Sequence, residues 1–498
     1  MEEEWTANAN EALTISLVRP TGSKIEAVGS FNPRFTYPIF GDEEHIFGYK
    51  GLKIKLRYDA RNLRPHLSVS SSKKFSSVGE VEALDVKEVM KSFLPGVAFQ
   101  TRSEYESAVQ HVDNAWSPPG ALINTVVKNG ETYEIWRGNL ADPAVKQLIR
   151  RIQIMVLLFI EGGSYIGVDA EGKEDPEYSL ARWFVFFIYK KQVIPGNKEK
   201  HDYIFQGFST VYDFWKYQQP QSPDSARDGN APIQPKVDDS WELPKGDLDL
   251  SHFPRRARIS QFLILPPFQG KGIGAMLYNT IFDFCTADES VKEITVEDPN
   301  EAFDLLRDIC DLKYLKKNVP EFAGLKINNN FSIPEKGGLL LHTTQITSTA
   351  TSARSFADGI VNIAKLETMR LKAKIAPRQF WRLAEMHLMS TLPASVRPEN
   401  DVEPKKAPAP KADQKLYALW RLLLKQRLYR RNLWYLEELD PTERIIKLNE
   451  TVTNVEWEYG GVLARVESKK ASANGKRKLG EDALEDTPSP KKARGAGA

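Results

Sequence analysis

Apolar and polar residues alternate in short runs through the first 135 positions. Residues 13–18, 51–57 (with Leu52, Ile54 and Leu56 at alternate positions) and 121–127 each read as a strand, with turn signals between them. The pattern then changes. A helix-like stretch over 143–160 leads to a strand-like run over 182–190, strands over 203–212 and 258–265, a glycine-rich turn, a helix over 272–285 and a strand over 292–296. From about 355 the spacing turns helical, at 360–373, 377–389 and 415–436. These shifts predict an α/β (α+β) chain with a mixed N-terminal α/β domain over 1–135, a second α/β domain over 136–330 and a mostly helical region over 331–468. Residues 217–255, rich in Pro, Asp and Ser, read as a long surface insertion, and 396–413 as a stiff Pro/Ala/Lys linker. The tail over 469–498 has almost no apolar residues and is expected to be disordered.

Composition narrows the classes. A chain of 498 residues, 41% hydrophobic and 27% charged, has the balance of a globular protein of two or three domains. Lys+Arg is 68 against Asp+Glu 66, so there is no overall basic field and direct nucleic-acid binding is not expected. The basic and aromatic stretch 421–436 reads as an amphipathic helix with a solvated basic face. The longest apolar runs, 154–160 and 183–189, are far short of the ~18 residues of a membrane span, so no membrane association is expected. The cysteines, Cys285 and Cys310, fit no zinc-ligand or redox spacing, which predicts no disulfide, no metal and an intracellular setting. Cys285 follows Met276, Leu277, Ile281 and Phe282 at helical spacing and reads as buried. Two basic clusters in the tail, Lys476 to Lys478 and Lys491 to Arg494, have the spacing of a bipartite import signal, giving an expectation of nucleus and cytoplasm.

The most informative stretch is RISQFLILPPFQGKGIGAMLYNTIFDFC, residues 258–285. A strand runs into Pro266 and Pro267, and Gly270, Gly272 and Gly274 then lead into a helix. Glycines at alternate positions let an anion approach the backbone, and the N–H groups converge where the helix dipole carries roughly half a positive charge. The Lys-Ser/Thr end of a P-loop is missing. Gly270 to Ala275 fits G-x-G-x-x-A, with Glu293 and Glu297 following, but no further β-α-β units follow as a dinucleotide fold requires. Gln269, Gly272 and Gly274 fit [Q/R]-x-x-G-x-[G/A], the pyrophosphate loop of the GNAT acetyltransferases, and this reading is preferred. The two prolines cannot continue a ladder, so the strand is expected to leave its neighbour there and open a V for the pantetheine arm.

Further segments extend the likeness over most of the chain: WTANANEALTISLV (5–18), FGDEEHIFGYKGLKI (40–54), FIEGGSYIGVD (159–169), TVYDFWKY (210–217) and EITVEDPNEAFDLLRD (293–308). Together they resemble the catalytic subunit of the type B histone acetyltransferases, which makes 136–330 a GNAT catalytic domain. The resemblance implies acetyl-CoA as co-substrate, no metal, a histone tail (newly made histone H-four) as acceptor and a WD-repeat histone chaperone as partner. It places acetyl-CoA against the backbone of Phe262, Leu263 and Ile264 and against Gln269, Gly270, Lys271, Gly272, Ile273, Gly274 and Ala275, with Asn300 and Phe303 close by. One departure is Gly167, which stands where the family tends toward an acidic residue.

A lysine ammonium, of pKa ~10.4, must lose a proton before it attacks a thioester, so a carboxylate is needed near the amine. By resemblance Glu297 is the first candidate for that base, with Asp298 and Glu161 as alternatives. The strand backbone at 262–264 is the natural oxyanion donor. Asp42, Glu43 and Glu44, with Tyr212, Asp213 and Phe214, are the expected acidic and aromatic surroundings of a basic peptide. Two other classes stay open: a GNAT enzyme for another amine, and a non-catalytic histone-binding module.

Overall fold

The computed structural model describes residues 5–216 (apart from 23, 114, 170, 195 and 196), 253–331, 357–398 and 408–474. Most of the expected insertion, much of the linker, and the two basic clusters of the tail lie outside these residues. The chain forms two compact units, residues 1–326 with 337–384, and residues 327–336 with 385–498.

In the first unit an N-terminal sheet comprises β1 (Leu13–Thr21), β2 (Lys24–Phe31), β3 (Lys53–Asp59) and β4 (Pro65–Ser70), ordered β2-β1-β3-β4. Its alternation is the one expected from the sequence: Leu13, Ile15 and Leu17 pair beside Ile54, Leu56 and Tyr58, all fully buried. A six-stranded sheet follows, ordered β10-β9-β8-β7-β6-β5. Its members are β5 (Ala121–Lys128), β6 (Glu131–Asn139), β7 (Trp183–Ile194), β8 (Asn197–Trp215), β9 (Arg255–Ile264) and β10 (Val291–Val296). All pairs are antiparallel except β9 with β10. Position 135 falls inside β6, so the sheet that carries the glycine loop starts at Ala121, earlier than the expected boundary. Asn129 and Gly130, with φ of 52° and 77°, close the β5–β6 hairpin in the left-handed geometry that tight hairpins favour.

The helix-like stretch over 143–160 is two helices, α1 (Pro143–Ile152) and α2 (Ile154–Phe159), broken at Gln153. Asp142 caps α1 and Pro143 opens it, the arrangement that satisfies a free N–H and tolerates a missing one. Helix α3 (Ile273–Ala287) buries Leu277, Tyr278, Ile281, Phe282 and Cys285. Helix α4 (Glu301–Asn318) follows β10, capped by Asn300. Helix α5 (Ile363–Ala373) and the first part of α6 (Pro377–Ser390) belong to this same unit, which corrects the expectation of a separate helical region from 331. Ile294 N–H donates to Lys374 O at 2.7 Å, and Asp308 of α4 accepts from Gln379 (3.0 Å) and Arg382 (2.8 Å) of α6.

The second unit contains α7 (Lys411–Arg431) and α8 (Pro441–Asn474). Leu419, Trp420, Leu423, Leu424 and Leu428 line the buried face of α7, and Arg421 pairs with Glu456 and Arg427 with Glu385. Helix α8 lies largely within the region expected to be mostly helical, beyond the individual helices expected at 360–436. It runs to Asn474, past the expected start of the tail at 469, since residues 467–473 contain no helix breaker and include Lys and Ala, good helix formers.

Candidate active site

Strand β9 is paired differently on its two edges. Against β10 the ladder runs only from Arg255 to Ile259 and ends where Glu297 N–H donates to Ile259 O at 2.9 Å. Against β8 it continues to Ile264, with an irregularity opposite Thr210 and Val211 that leaves Ser260 unpaired. One edge of β9 is therefore open from Ser260 onward. The split starts at this bulge and at the end of β10, six residues before the double proline that was expected to cause it. Leu265 N–H points to Gln206 O on β8 (2.9 Å), so by alternation the backbone of Leu263 also faces β8, while that of Phe262 and Ile264 faces the opening. The expected backbone contact at Leu263 is thus already committed within the sheet.

Past the strand, Pro266–Phe268 form a short turn in which Pro267 packs on Gly29 of β2. Gln269 turns back and donates to Ile264 O at 2.7 Å, which ties the loop to the strand and occupies its amide. Gly270 and Gly272 have φ of 74° and 78°, a region costly for any side chain, and Gly272 is the N-cap of α3. The first N–H of the helix to find a backbone acceptor is that of Met276, on Gly272 O at 3.2 Å. No acceptor among the described residues meets the six N–H groups from Gly270 through Lys271, Gly272, Ile273 and Gly274 to Ala275. Such a row at a helix N-terminus is a receptor for an anion the size of a pyrophosphate. Asn300 caps α4 through Phe303 N–H at 2.9 Å, and the Phe303 ring packs edge-on against Phe262, 4.9 Å between centroids, on the wall of the opening.

Of the candidate bases, Glu297 and Asp298 lie beside Ser260 at the end of β10. Glu297 accepts from the Ser260 hydroxyl and sits 3.2 Å from the Arg258 guanidinium, its side chain 40% exposed. Asp298 is exposed beside it, at a φ of 31°. Glu161 lies in the turn after α2, and that turn is held to β9 by Gln261, whose amide donates to Ser164 O at 2.8 Å. The same turn is braced by the N-terminal domain, where Gly162 N–H donates to the Tyr37 hydroxyl (3.3 Å) and Arg34 N–H to Leu158 O (3.0 Å). Sequence reasoning missed Arg258, Ser260 and Gln261. The bulge that turns this part of the strand leaves no mark in the apolar pattern.

The expected substrate residues divide. Tyr212 and Phe214 pack against each other at 4.7 Å on one face of β8, with Arg258 stacked on Phe214 at 4.4 Å, beside Glu297. Asp213 points to the opposite face, buried against Arg255, and burial raises its pKa despite that partner. It is a structural residue, a correction that follows from strand alternation. Glu44 is also committed internally. Its carboxylate accepts from the N–H groups of Thr36 and Tyr37 and from Asn10 Nδ2 at 2.7 Å, which leaves Asp42 and Glu43 as the exposed acids of that loop. Burial pushes the Cys285 thiol up to about 12, so it is no nucleophile at neutral pH. Among the described residues no cluster of His, Cys, Asp and Glu has metal-site geometry, and no helix is long and apolar enough to cross a membrane.

The open strand edge followed by an anion-binding helix start defines an acetyltransferase of the GNAT class, and residues 240–303 match the model of the acetyltransferase (GNAT) family. Residues 5–161 match the histone acetyl transferase HAT1 N-terminus model, and 347–393 that of the fungal HAT1 C-terminal region. The chain is 46% identical to the histone acetyltransferase type B catalytic subunit of Gibberella zeae, over 99% of this chain and 98% of the relative. With the Pyricularia oryzae subunit the identity is 43%, over 98% of each. With that of Candida albicans it is 30%, over 93% of this chain and 90% of the relative. The chain belongs to the family of type B histone acetyltransferase catalytic subunits, and it is an acyltransferase enzyme.

Proposed function

We propose that this enzyme transfers the acetyl group of acetyl-CoA directly to lysine ε-amines of histone tails, those of newly made histone H-four in particular, within a ternary complex. The observation that carries the reading is the position of Glu297: a carboxylate at the mouth of the split between β9 and β10, across Ser260 from the free strand edge. The free N–H groups of the glycine loop hold the pyrophosphate of acetyl-CoA, and the open edge, through the Phe262 backbone and the Ile264 N–H, holds its amide-bearing arm. A backbone N–H on that edge supplies the donor for the thioester oxyanion. Glu297 takes the proton from the lysine ammonium, and Ser260 and Arg258 fix its carboxylate. Asp298 and Glu161 are the alternative bases. Tyr212 and Phe214 flank the lysine stem, and Asp42 and Glu43 draw in a basic tail.

A WD-repeat histone chaperone as partner, and residence in nucleus and cytoplasm, are proposed on the family resemblance and on the basic clusters of the tail. Acetyl transfer to a histone H-four tail peptide tests the core reading. Activity in the wild type that drops roughly 100-fold or more in Glu297→Gln supports it. Activity that survives moves the base to Asp298 or Glu161. Tight acetyl-CoA binding without peptide acetylation favours another amine.

A further inference from the structure

Lysine 128 is the last residue of β5, on a hairpin far in sequence from the glycine loop, yet it ends over the start of α3. Its ammonium donates to Lys271 O, and a Cβ built on Gly272 would meet its Nζ at 2.3 Å. The left-handed Asn129-Gly130 turn fixes the direction in which the strand presents this side chain. On the same strand the Asn124 amide donates to Thr280 Oγ1 of α3 at 2.9 Å, which fixes the spacing between hairpin and helix.

The charges around Lys128 are arranged so that it keeps no counter-ion. The nearest acid in sequence, Glu131, is held by Lys190 and by the Tyr133 hydroxyl (2.6 Å). Lys271, the other cation at the loop, directs its ammonium to Pro267 O at 3.1 Å. Among the described residues neither Lys128 nor Lys271 is within ion-pair distance of a carboxylate. An ammonium that meets a carbonyl and no carboxylate therefore stands beside six N–H groups that lack acceptors among the described residues.

We propose that Lys128 is a phosphate-binding residue of the acetyl-CoA site. Its ammonium, which meets Lys271 O, swings from that carbonyl to a phosphate oxygen of the bound nucleotide. The proposal rests on the reading of the loop as a pyrophosphate receptor. It adds to that reading a cation delivered from the far edge of the sheet. Lysine suits the task, being a compact point charge on a flexible stem that moves by rotation about its own bonds.

Affinity for CoA, 3′-dephospho-CoA and pantetheine, measured by calorimetry or competition on the full chain, tests it. The proteins compared are wild type, Lys128→Met and Lys128→Arg, with melting temperature in the absence of ligand as the control for folding. Loss of one charge-assisted hydrogen bond predicts CoA affinity roughly tenfold to a hundredfold weaker in Lys128→Met, with Lys128→Arg restoring part of it. Pantetheine, which has no phosphate, should bind both proteins equally. A ratio that persists with 3′-dephospho-CoA assigns Lys128 to the pyrophosphate, and one that vanishes assigns it to the 3′-phosphate. Equal CoA affinity in wild type and Lys128→Met, or an equal loss with pantetheine, would overturn the proposal while leaving the loop reading intact. If the wild type binds no CoA at all, the loop reading itself fails and this proposal with it.

Discussion

Asp213 and Glu297 are both carboxylates near the strand that carries the cofactor motif, and their surroundings give them opposite tasks. Asp213 is buried beside Arg255 on the α3 face of the sheet, whereas Glu297 is part-exposed at the opening. Removing one partner of a buried ion pair strands the other charge, so Asp213→Ala should cost about 3 kcal/mol of stability in a denaturant titration. The KM for a histone peptide should stay within twofold; a large rise in KM with unchanged stability would return Asp213 to the substrate site. Cys285 offers a second residue-scale expectation. With its thiol pushed up to about 12, chiefly by burial, it should resist alkylation in the folded protein at pH 8, and Cys285→Ser should retain full turnover. Part of this was legible in sequence: the helical spacing placed Cys285 in the core, and period-two alternation separates Asp213 from Tyr212 and Phe214. The capping role of Glu44 was not, because its donors, Thr36 and Tyr37, are brought to it only by the turn at Gly41 and a left-handed φ of 55° at Glu44 itself.

At the scale of elements, the glycine loop was the most legible feature, since its residues, the strand before it and the helix after it are contiguous. The point where β9 leaves β10 was less so. It depends on how two strands far apart in sequence end against each other, and the prolines that suggested a cause instead serve to turn the chain and pack on β2. The loop's glycines also differ in what they tolerate. A Cβ at Gly274 meets nothing closer than 3.5 Å, whereas Gly272 has a φ of 78° and would set its Cβ against the Lys128 ammonium. The left-handed conformation costs a residue with a Cβ roughly 1–2 kcal/mol. Gly272→Ala should therefore lower the melting temperature by a few degrees and raise the KM for acetyl-CoA severalfold, with peptide KM unchanged. Gly274→Ala should leave the ligand-free melting temperature where it is. Thermal shift with and without acetyl-CoA reads both effects.

For the whole molecule, period and composition indicate the right classes of structure but place the boundaries at changes of pattern. The compact units depend on contacts between residues far apart in sequence, which a one-dimensional pattern does not contain. Helices α5 and α6 read as the start of a separate C-terminal region, yet α5 and the first part of α6 belong to the catalytic unit, and α6 is tied to it through a buried network on α4. Asp311 accepts from the Tyr278 hydroxyl at 2.7 Å and from Gln379 at 3.2 Å, with Arg307 at 3.5 Å. Burial raises its pKa from 3.8 to about 6 despite those partners. A carboxyl whose folded pKa lies above its unfolded value stabilises the fold in its protonated form. That contribution is complete below pH 4 and is lost as pH rises through 6, with a total swing of about 3 kcal/mol. Asp311→Asn keeps an acceptor for Tyr278 and cannot ionise, so it should lack this loss. The unfolding free energy of the wild type minus that of Asp311→Asn should therefore fall between pH 4 and 6.5 and be flat above it. A difference independent of pH would mean that the Arg307, Tyr278 and Gln379 contacts hold the carboxylate ionised in the fold. In that case Gln379 of α6 would donate to a carboxylate that pairs with Arg307 within α4, instead of to a neutral, hydrogen-bonded acid.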